Sequence, residues 1–176
     1  MEQTDPAGRQ VDPDVFRTVL AHLATGVAVV TTATPEGLHG LTVNAFCSVS
    51  LTPPLVLVCI DSLSRSAELI AASGYYGVSI LSAQQAFLAD RFAGRAPLIN
   101  RRFDDAPYFT ARTGAPLLRD CLAWLDCRVV ANHAAGDHRL FLGMVEAAGE
   151  GTASAALVYY NRRYYRLSVH PDTTAP

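Results

Sequence analysis

Charge is scarce in this chain of 176 residues: Asp, Glu, Lys and Arg together make up 17%, and every one of the 14 basic residues is arginine. With a formal net charge of -2 there is no general electrostatic pull towards nucleic acid or an anionic membrane. Without lysine there is no Schiff-base nucleophile. Long hydrophobic runs are missing too. The most apolar stretch, "PPLVLVCI", is far shorter than the ~20 residues a membrane helix needs, and the opening "MEQTDPAGRQ" has no basic segment followed by an apolar one, so it does not read as a secretory signal. A cytoplasmic protein with no membrane or nucleic-acid partner is the expectation.

Cysteine is sparse and scattered. Cys47, Cys59, Cys121 and Cys127 form neither a CxxC pair nor a zinc knuckle, and the five histidines add no matching spacing, so no metal is expected. The cysteines sit beside apolar residues and read as reduced packing groups. No Ser-His-Asp set, paired carboxylates, GxGxxG fingerprint or internal repeat is evident either.

What is present is apolar residue: 50% of the chain, enough for the core of one compact domain. That domain is expected over residues 14–170, between a flexible lead at 1–13 and a tail at 171–176. "DPDVFRTVLAHLATG" (12–26) predicts a helix, with Asp12 as cap, Pro13 in the first turn, Phe16, Leu20 and Leu23 on one face, and Gly26 as its end. Strand patterns follow at "VAVVTT", 38–43, 46–50, "LVLVCI", "YGVSIL", "CLAWLDCRVVA" and "RLFLGMVEAA", and "AALVYYNRRYYRLSV" reads as two short strands around a basic turn. Short helices are predicted at 64–72 and in "AQQAFLADRFAG". In "CLAWLDCRVVA", Ala123, Leu125, Cys127, Val129 and Ala131 share one face, and Asp126 and Arg128 the other. Residues 94–120, with Arg101, Arg102, Asp104 and Asp105, are irregular and read as an excursion over a pocket or across a dimer. So many strands and so few helices favour a mainly antiparallel barrel over a doubly wound sheet.

The stretch "GLHGLTVNAFCSVSLTPPLVLVCI" (37–60) sets Thr42, Asn44, Ser48 and Ser50 among Val43, Ala45 and Val49. A strand corner so built suits a flat ligand with an apolar face and a hydrogen-bonding edge, because Asn44 both donates and accepts and hydroxyls turn to either role. Ordinary strand packing and a corner-shaping asparagine explain the same residues, and on these features alone that structural reading is the stronger. Ser64, Arg65 and Ser66 precede a helix, where hydroxyls, free amides and a cation, with Arg91 nearby, suit a phosphate or a simple cap. His138 follows Gly136 and Asp137 in a turn that can hold the ring at a pocket mouth or at the surface. Gly143 leaves room for a ligand or a neighbouring strand. Tyr159, Tyr160, Asn161, Arg162 and Arg163 suit either a dinucleotide or a packed hairpin with a solvated tip.

Taken in order, "TGVAVVTT", "HGLTVNAFCSVSLTPPLVLVCI", "DSLSRSAELI", "YGVSILSAQQAFLADRFAG", "GDHRLFLGMV" and "LVYYNRRYYRL" resemble the flavin reductase family of the FMN-binding split barrel. The likeness is to the small reductase component of two-component flavin-dependent monooxygenases and spans about residues 14 to 168. It implies a homodimeric, mainly β split barrel with a few peripheral helices, in which NADH or NADPH reduces FMN or FAD and a monooxygenase receives the reduced flavin. Carried onto this chain, it puts Thr42, Val43, Asn44, Ala45, Ser48, Val49 and Ser50 around the flavin, and Ser64, Ser66, Arg91 and, more loosely, Arg65 at its phosphate. It puts His138 at the nicotinamide as a positioning group, not a nucleophile, and 159–163 along the pyridine nucleotide. The terminal hairpin is more basic than the resemblance leads one to expect. Other readings consistent with the residues are a split-barrel flavoprotein acting directly on a small substrate, a flavin-binding protein without efficient turnover, and a structural protein with an incidental pocket.

Overall fold

The structure, a computed structural model, describes residues 11–95, 103 and 105–167. Residues 1–10 of the expected lead, the expected tail at 171–176, and Arg101, Arg102 and Asp104 lie outside the described residues.

Helix α1 (Pro13–Leu20) begins as its sequence dictates, with the Asp12 carboxylate accepting the Asp14 N–H at 2.7 Å and Pro13 in the first turn. Two of the residues expected in the lead, Asp12 and Pro13, therefore belong to the helix. It ends six residues before Gly26, because two other elements claim the chain. The Ala21 carbonyl accepts the Asn161 N–H at 2.8 Å, and Thr25–Gly26 form a short strand, β1, paired with Tyr159 and Val158. None of the α1 residues is buried.

The body is a seven-stranded antiparallel sheet in the order β3-β2-β6-β9-β10-β5-β4. Its strands are β2 (Ala28–Thr34), β3 (Gly37–Val43), β4 (Phe46–Leu51), β5 (Pro54–Asp61), β6 (Tyr75–Ile80), β9 (Ala123–Ala135) and β10 (His138–Glu150). The two edge strands, β3 and β4, are consecutive in the chain and joined only through Asn44 and Ala45. That gap is the split of a split barrel, the architecture predicted from the sequence. Between β6 and β9 come α3 (Ala86–Phe92), entered through a 3-10 turn (Ala83–Gln85), and the pair β7 (Tyr108–Thr110) and β8 (Pro116–Leu118). The chain closes with β11 (Ala156–Tyr160) and β12 (Arg163–Leu167), which with β1 make a three-stranded sheet.

Alternation along the strands produces two apolar layers. Inside the barrel Val30, Val43, Val58, Ile60, Val78, Cys127 and Phe141 pack together, with Ile70 of α2 (Arg65–Ser73) at one end. On the outer face Val27, Val29, Leu81, Leu118 and Leu157 meet Leu88, Ala89 and Phe92 of α3. Gly40 permits that contact, since a Cβ there would fall 2.8 Å from the Phe92 ring. Gly143 works in the same way inside the barrel: a Cβ would lie 2.2 Å from the Tyr76 hydroxyl, so its missing side chain makes room for a buried core ring rather than for a ligand. Asp126 does lie opposite the apolar face of β9, as the alternation predicts, yet it is fully buried. Residues after β7 cover it, and its carboxylate accepts the Thr113 N–H at 2.8 Å and the Thr113 hydroxyl. Among the described residues no helix is long and apolar enough to cross a membrane.

Candidate functional site

Everything that shapes the Asn44 corner follows from the sheet register. Val43 pairs with Ala28 and is buried, while Asn44 and Ala45 are exposed as the chain crosses the split. The Cys59 N–H donates to the Ala45 carbonyl at 3.0 Å, holding the corner against β5. The Thr42 hydroxyl donates to the Ala89 carbonyl at 2.7 Å and ties the end of β3 to α3. Ser48 and Val49 are exposed further along β4 and Ser50 half-buried, with the irregularity at Val49 shifting the pairing with β5.

Two small cavities meet at this corner and share Val27, Val43 and Asn44. One, of ≈ 250 Å³, is bounded by Thr25, Phe46 and Ile80; the other, of ≈ 140 Å³, by Thr42, Arg95 and the ring pair Tyr159–Tyr164. Three features suit a flat, polar-edged ligand. The floor is apolar, Asn44 offers both donor and acceptor, and the Thr25 Oγ1 is buried with no hydrogen-bond partner among the described residues. A buried hydroxyl left unpaired costs about 1–3 kcal/mol, and a ligand edge with a donor or acceptor would recover part of that. The corner thus fits a flavin ring on its own chemistry.

Residues 159–163 are arranged by a two-residue turn. Asn161 (φ 46) and Arg162 (φ 62) take left-handed backbone, as the tightest hairpins require, so the turn falls one residue earlier than the paired arginines. Tyr159 packs on Tyr164 at 5.5 Å beside the Asn44 corner, whereas Tyr160 turns towards His22 and Tyr165. Asn161, Arg162 and Arg163 are exposed.

A second group gathers at the neighbouring end of the sheet. His138 opens β10 directly across from Asp61, and the Ser62 N–H donates to the Asp137 carbonyl at 2.9 Å. The His138 Nδ1 is 2.7 Å from the Asp137 carboxylate, whose pKa is lowered by that hydrogen bond and by the His138 charge. Asp61 in turn accepts the Leu63 N–H at 2.8 Å, and Ser64 caps α2 by accepting the Ser66 N–H at 3.2 Å. Ser66 is buried. The register therefore brings His138 to the serine-rich turn. His138 lines neither Asn44 cavity.

Arg65 faces elsewhere. It lines a ≈ 710 Å³ groove between α2 and the β2–β3 turn, together with Glu36 and Glu68. This is the most voluminous cavity described, but with two carboxylates to one guanidinium it is a poor place for a phosphate. Arg91 stacks over Phe87 on α3 at 5.7 Å and is absent from the lining of both Asn44 cavities. Sequence reasoning missed Thr25 and Arg95. Thr25 stands in "TGVAVVTT" without its position relative to Asn44 being readable, and Arg95 follows a helix in a stretch that has no strand or helix period.

Residues 20–168 match the family model described as "Flavin reductase like domain". The chain is 45% identical over 150 residues to an NADH-dependent flavin reductase of a Rhodococcus species, covering 81% of this chain and 82% of that one. It is 34% identical over 169 residues to the reductase subunit HsaB of a flavin-dependent monooxygenase of Mycobacterium tuberculosis, covering 95% and 88%. Among solved structures, the Streptomyces globisporus NADH:FAD oxidoreductase SgcE6, in complex with NAD and FAD fragments, superposes with a TM-score of 0.82 at 33% identity, over 98% of this chain and 99% of that one.

Proposed function

The chain belongs to the flavin reductase like domain family, and from that premise we propose that it is an NADH-dependent flavin reductase that supplies reduced flavin to a partner monooxygenase. The observation that carries the reading is the Asn44 corner: an apolar floor, an amide with both hydrogen-bonding roles and an unpartnered Thr25 hydroxyl, all where the sheet splits.

Flavin is the substrate, and the dihydronicotinamide supplies the hydride it accepts. The protein's task is positioning and charge stabilisation, which accounts for the absence of a nucleophile and its base from the sequence. Asn44 addresses the polar edge of the ring, Val43 and Ala45 allow it to approach the backbone, and Thr42 braces the corner against α3 through Ala89. Ser48, Val49 and Ser50 extend the contact along β4. The phosphate is assigned to the turn at α2, with Ser64 and Ser66 as the contacts to test; Arg65 and Arg91, expected there from the resemblance, would have to swing out of the Glu36–Glu68 groove and off Phe87 to join them. His138 orients the nicotinamide, and Tyr159, Tyr160, Asn161, Arg162 and Arg163 lie along the rest of that nucleotide.

A homodimer completes the reading. The apolar residues of α1, Val15, Phe16 and Val19, together with Leu23 just beyond its end, are all more than half exposed, with nothing covering them within the described residues of one chain. A cytoplasmic location accords with a partner that receives a diffusible reduced flavin.

Anaerobic mixing of the protein with each of FMN and FAD and each of NADH and NADPH tests the assignment. Bleaching of the oxidised-flavin band is expected with NADH, and its absence in all four mixtures refutes the proposal. The same matrix fixes the flavin and nicotinamide preferences.

A further inference from the structure

Arg95 lies outside the residues that the family resemblance implicates, yet it lines the ≈ 140 Å³ cavity beside Asn44. Among the described residues lining that cavity it is the one charged group. Its place is built from both sides. Gly94 takes φ +72, which turns the chain out of α3, and the Arg95 N–H then donates to the Asp90 carbonyl at 2.9 Å. The guanidinium shares the cavity wall with Tyr159 and forms an ion pair with the Asp90 carboxylate at 3.8 Å, its side chain 56% exposed. With five N–H donors on a guanidinium, the fork has capacity left for a ligand beside that ion pair. The Tyr159 contact also raises the arginine's pKa, so the charge persists at any working pH.

Size decides which anion such a cation would meet. A cavity of ≈ 140 Å³ is well below the ~300 Å³ of an ordinary small-molecule pocket. It admits the edge of one ring, and not a ring together with a phosphate several bonds away. Whatever edge Asn44 addresses, Arg95 addresses as well.

We infer that Arg95 is the charge-stabilising residue of this site, its guanidinium taking up the negative charge that reduction places on the polar edge of the flavin. The inference rests on the flavin reductase reading. In the reaction a C–H bond of the dihydronicotinamide breaks, a bond forms from that hydrogen to flavin N5, and the nicotinamide leaves as the oxidised cation. The electron pair gained by the flavin is delocalised to N1 and the C2 carbonyl, leaving one negative charge until a solvent proton neutralises it. A cation held at that edge favours the product over the substrate, so this chain should bind reduced flavin more tightly than oxidised flavin.

The test measures dissociation constants of FMN, oxidised and dithionite-reduced, for the full chain and for Arg95→Gln, Arg95→Lys and Tyr159→Phe under anaerobic conditions. A charge-assisted hydrogen bond is worth about tenfold or more in binding. Arg95→Gln should lose about that factor for reduced FMN and much less for oxidised FMN, with Arg95→Lys recovering part of it. Tyr159→Phe should give a smaller loss in the same direction. The ionisation of bound reduced FMN, followed by absorbance against pH, should move to higher pH in Arg95→Gln, a change that a merely structural role would not produce. Equal losses for both redox states overturn the inference. A loss with FMN that vanishes with riboflavin assigns Arg95 to the phosphate and overturns it too. If wild-type protein binds and reduces flavin while Arg95→Gln keeps the wild-type preference, only this inference falls. If wild-type protein binds neither form, the flavin reductase reading falls with it.

Discussion

Replacing Gly143 with alanine isolates the tightest contact in the barrel. The new Cβ would lie 2.2 Å from the Tyr76 hydroxyl oxygen, 2.7 Å from Cζ and 3.0 Å from Cε1. Tyr76 cannot step aside easily, because it is fully buried among Val58, Ile70, Val78 and Phe141 and its hydroxyl points at the Phe141 carbonyl at 3.5 Å. Overpacking of this kind costs about 1–3 kcal/mol, which for a domain of this length lowers Tm by roughly 2–4 °C per kcal/mol. Urea unfolding followed by tryptophan fluorescence, with calorimetry alongside, measures both quantities. Tyr76→Phe removes the atom that clashes worst and loses only a long hydrogen bond, so alone it should be nearly neutral. Combined with Gly143→Ala it should return part of the loss, because the two positions are in contact and their effects do not add. A Gly143→Ala protein within about 0.5 kcal/mol of wild type, or a double variant whose effects simply sum, refutes the claim that this glycine exists to admit the ring.

Other perturbations read other parts of the structure. Asp126→Ala removes the acceptor of two Thr113 donors in a buried place and should destabilise by about 2–4 kcal/mol in the same unfolding assay. Burial, with Asp126 and Glu146 nearby, pushes the Cys127 thiol up to about 12 from 9.0. Its folded pKa lies above its unfolded one, so the stability it contributes is complete below pH 9 and declines as pH rises towards 12, by up to about 4 kcal/mol. Unfolding curves from pH 8 to 11 measure that slope. Ser64→Ala should cost about 1 kcal/mol as a lost cap and, on the phosphate assignment, weaken FMN more than riboflavin in a binding titration. His138→Ala should slow NADH-dependent reduction in stopped flow while leaving flavin affinity nearly unchanged; equal losses in both would remove its positioning role.

The strands were legible because period-two patterns such as those of β5 and β9 reflect burial on one side of a sheet, and that constraint is local. The end of α1 was not legible, since what stops it is an amide of Asn161, 140 positions away, and a pairing partner for Thr25 and Gly26 that only the folded hairpin supplies. The alternation placed Asp126 on the correct face but could not reveal that an earlier turn of chain, at Thr113, folds over it. At the site, residues 42–50 announced themselves by polar side chains inside an apolar run. Arg95 and Thr25 gave no such contrast, because one follows a helix and the other precedes a strand, and their nearness to Asn44 exists only in three dimensions. Gly143 was noticeable as a gap, while its filler, Tyr76, lies 67 positions earlier.

The terminal hairpin has a consequence for how the molecule comes to be active. Tyr159 and Tyr164 form one wall of the cavity beside Asn44, and β11 is fastened to Thr25 and Gly26 near the other terminus. All seven strands of the large sheet precede that wall in the chain, so they are translated before it. A chain cut before Ala156 would retain all seven strands of the large sheet yet lack the Tyr159–Tyr164 side of the cavity, and on the proposed reading it would lose flavin binding before it lost its fold.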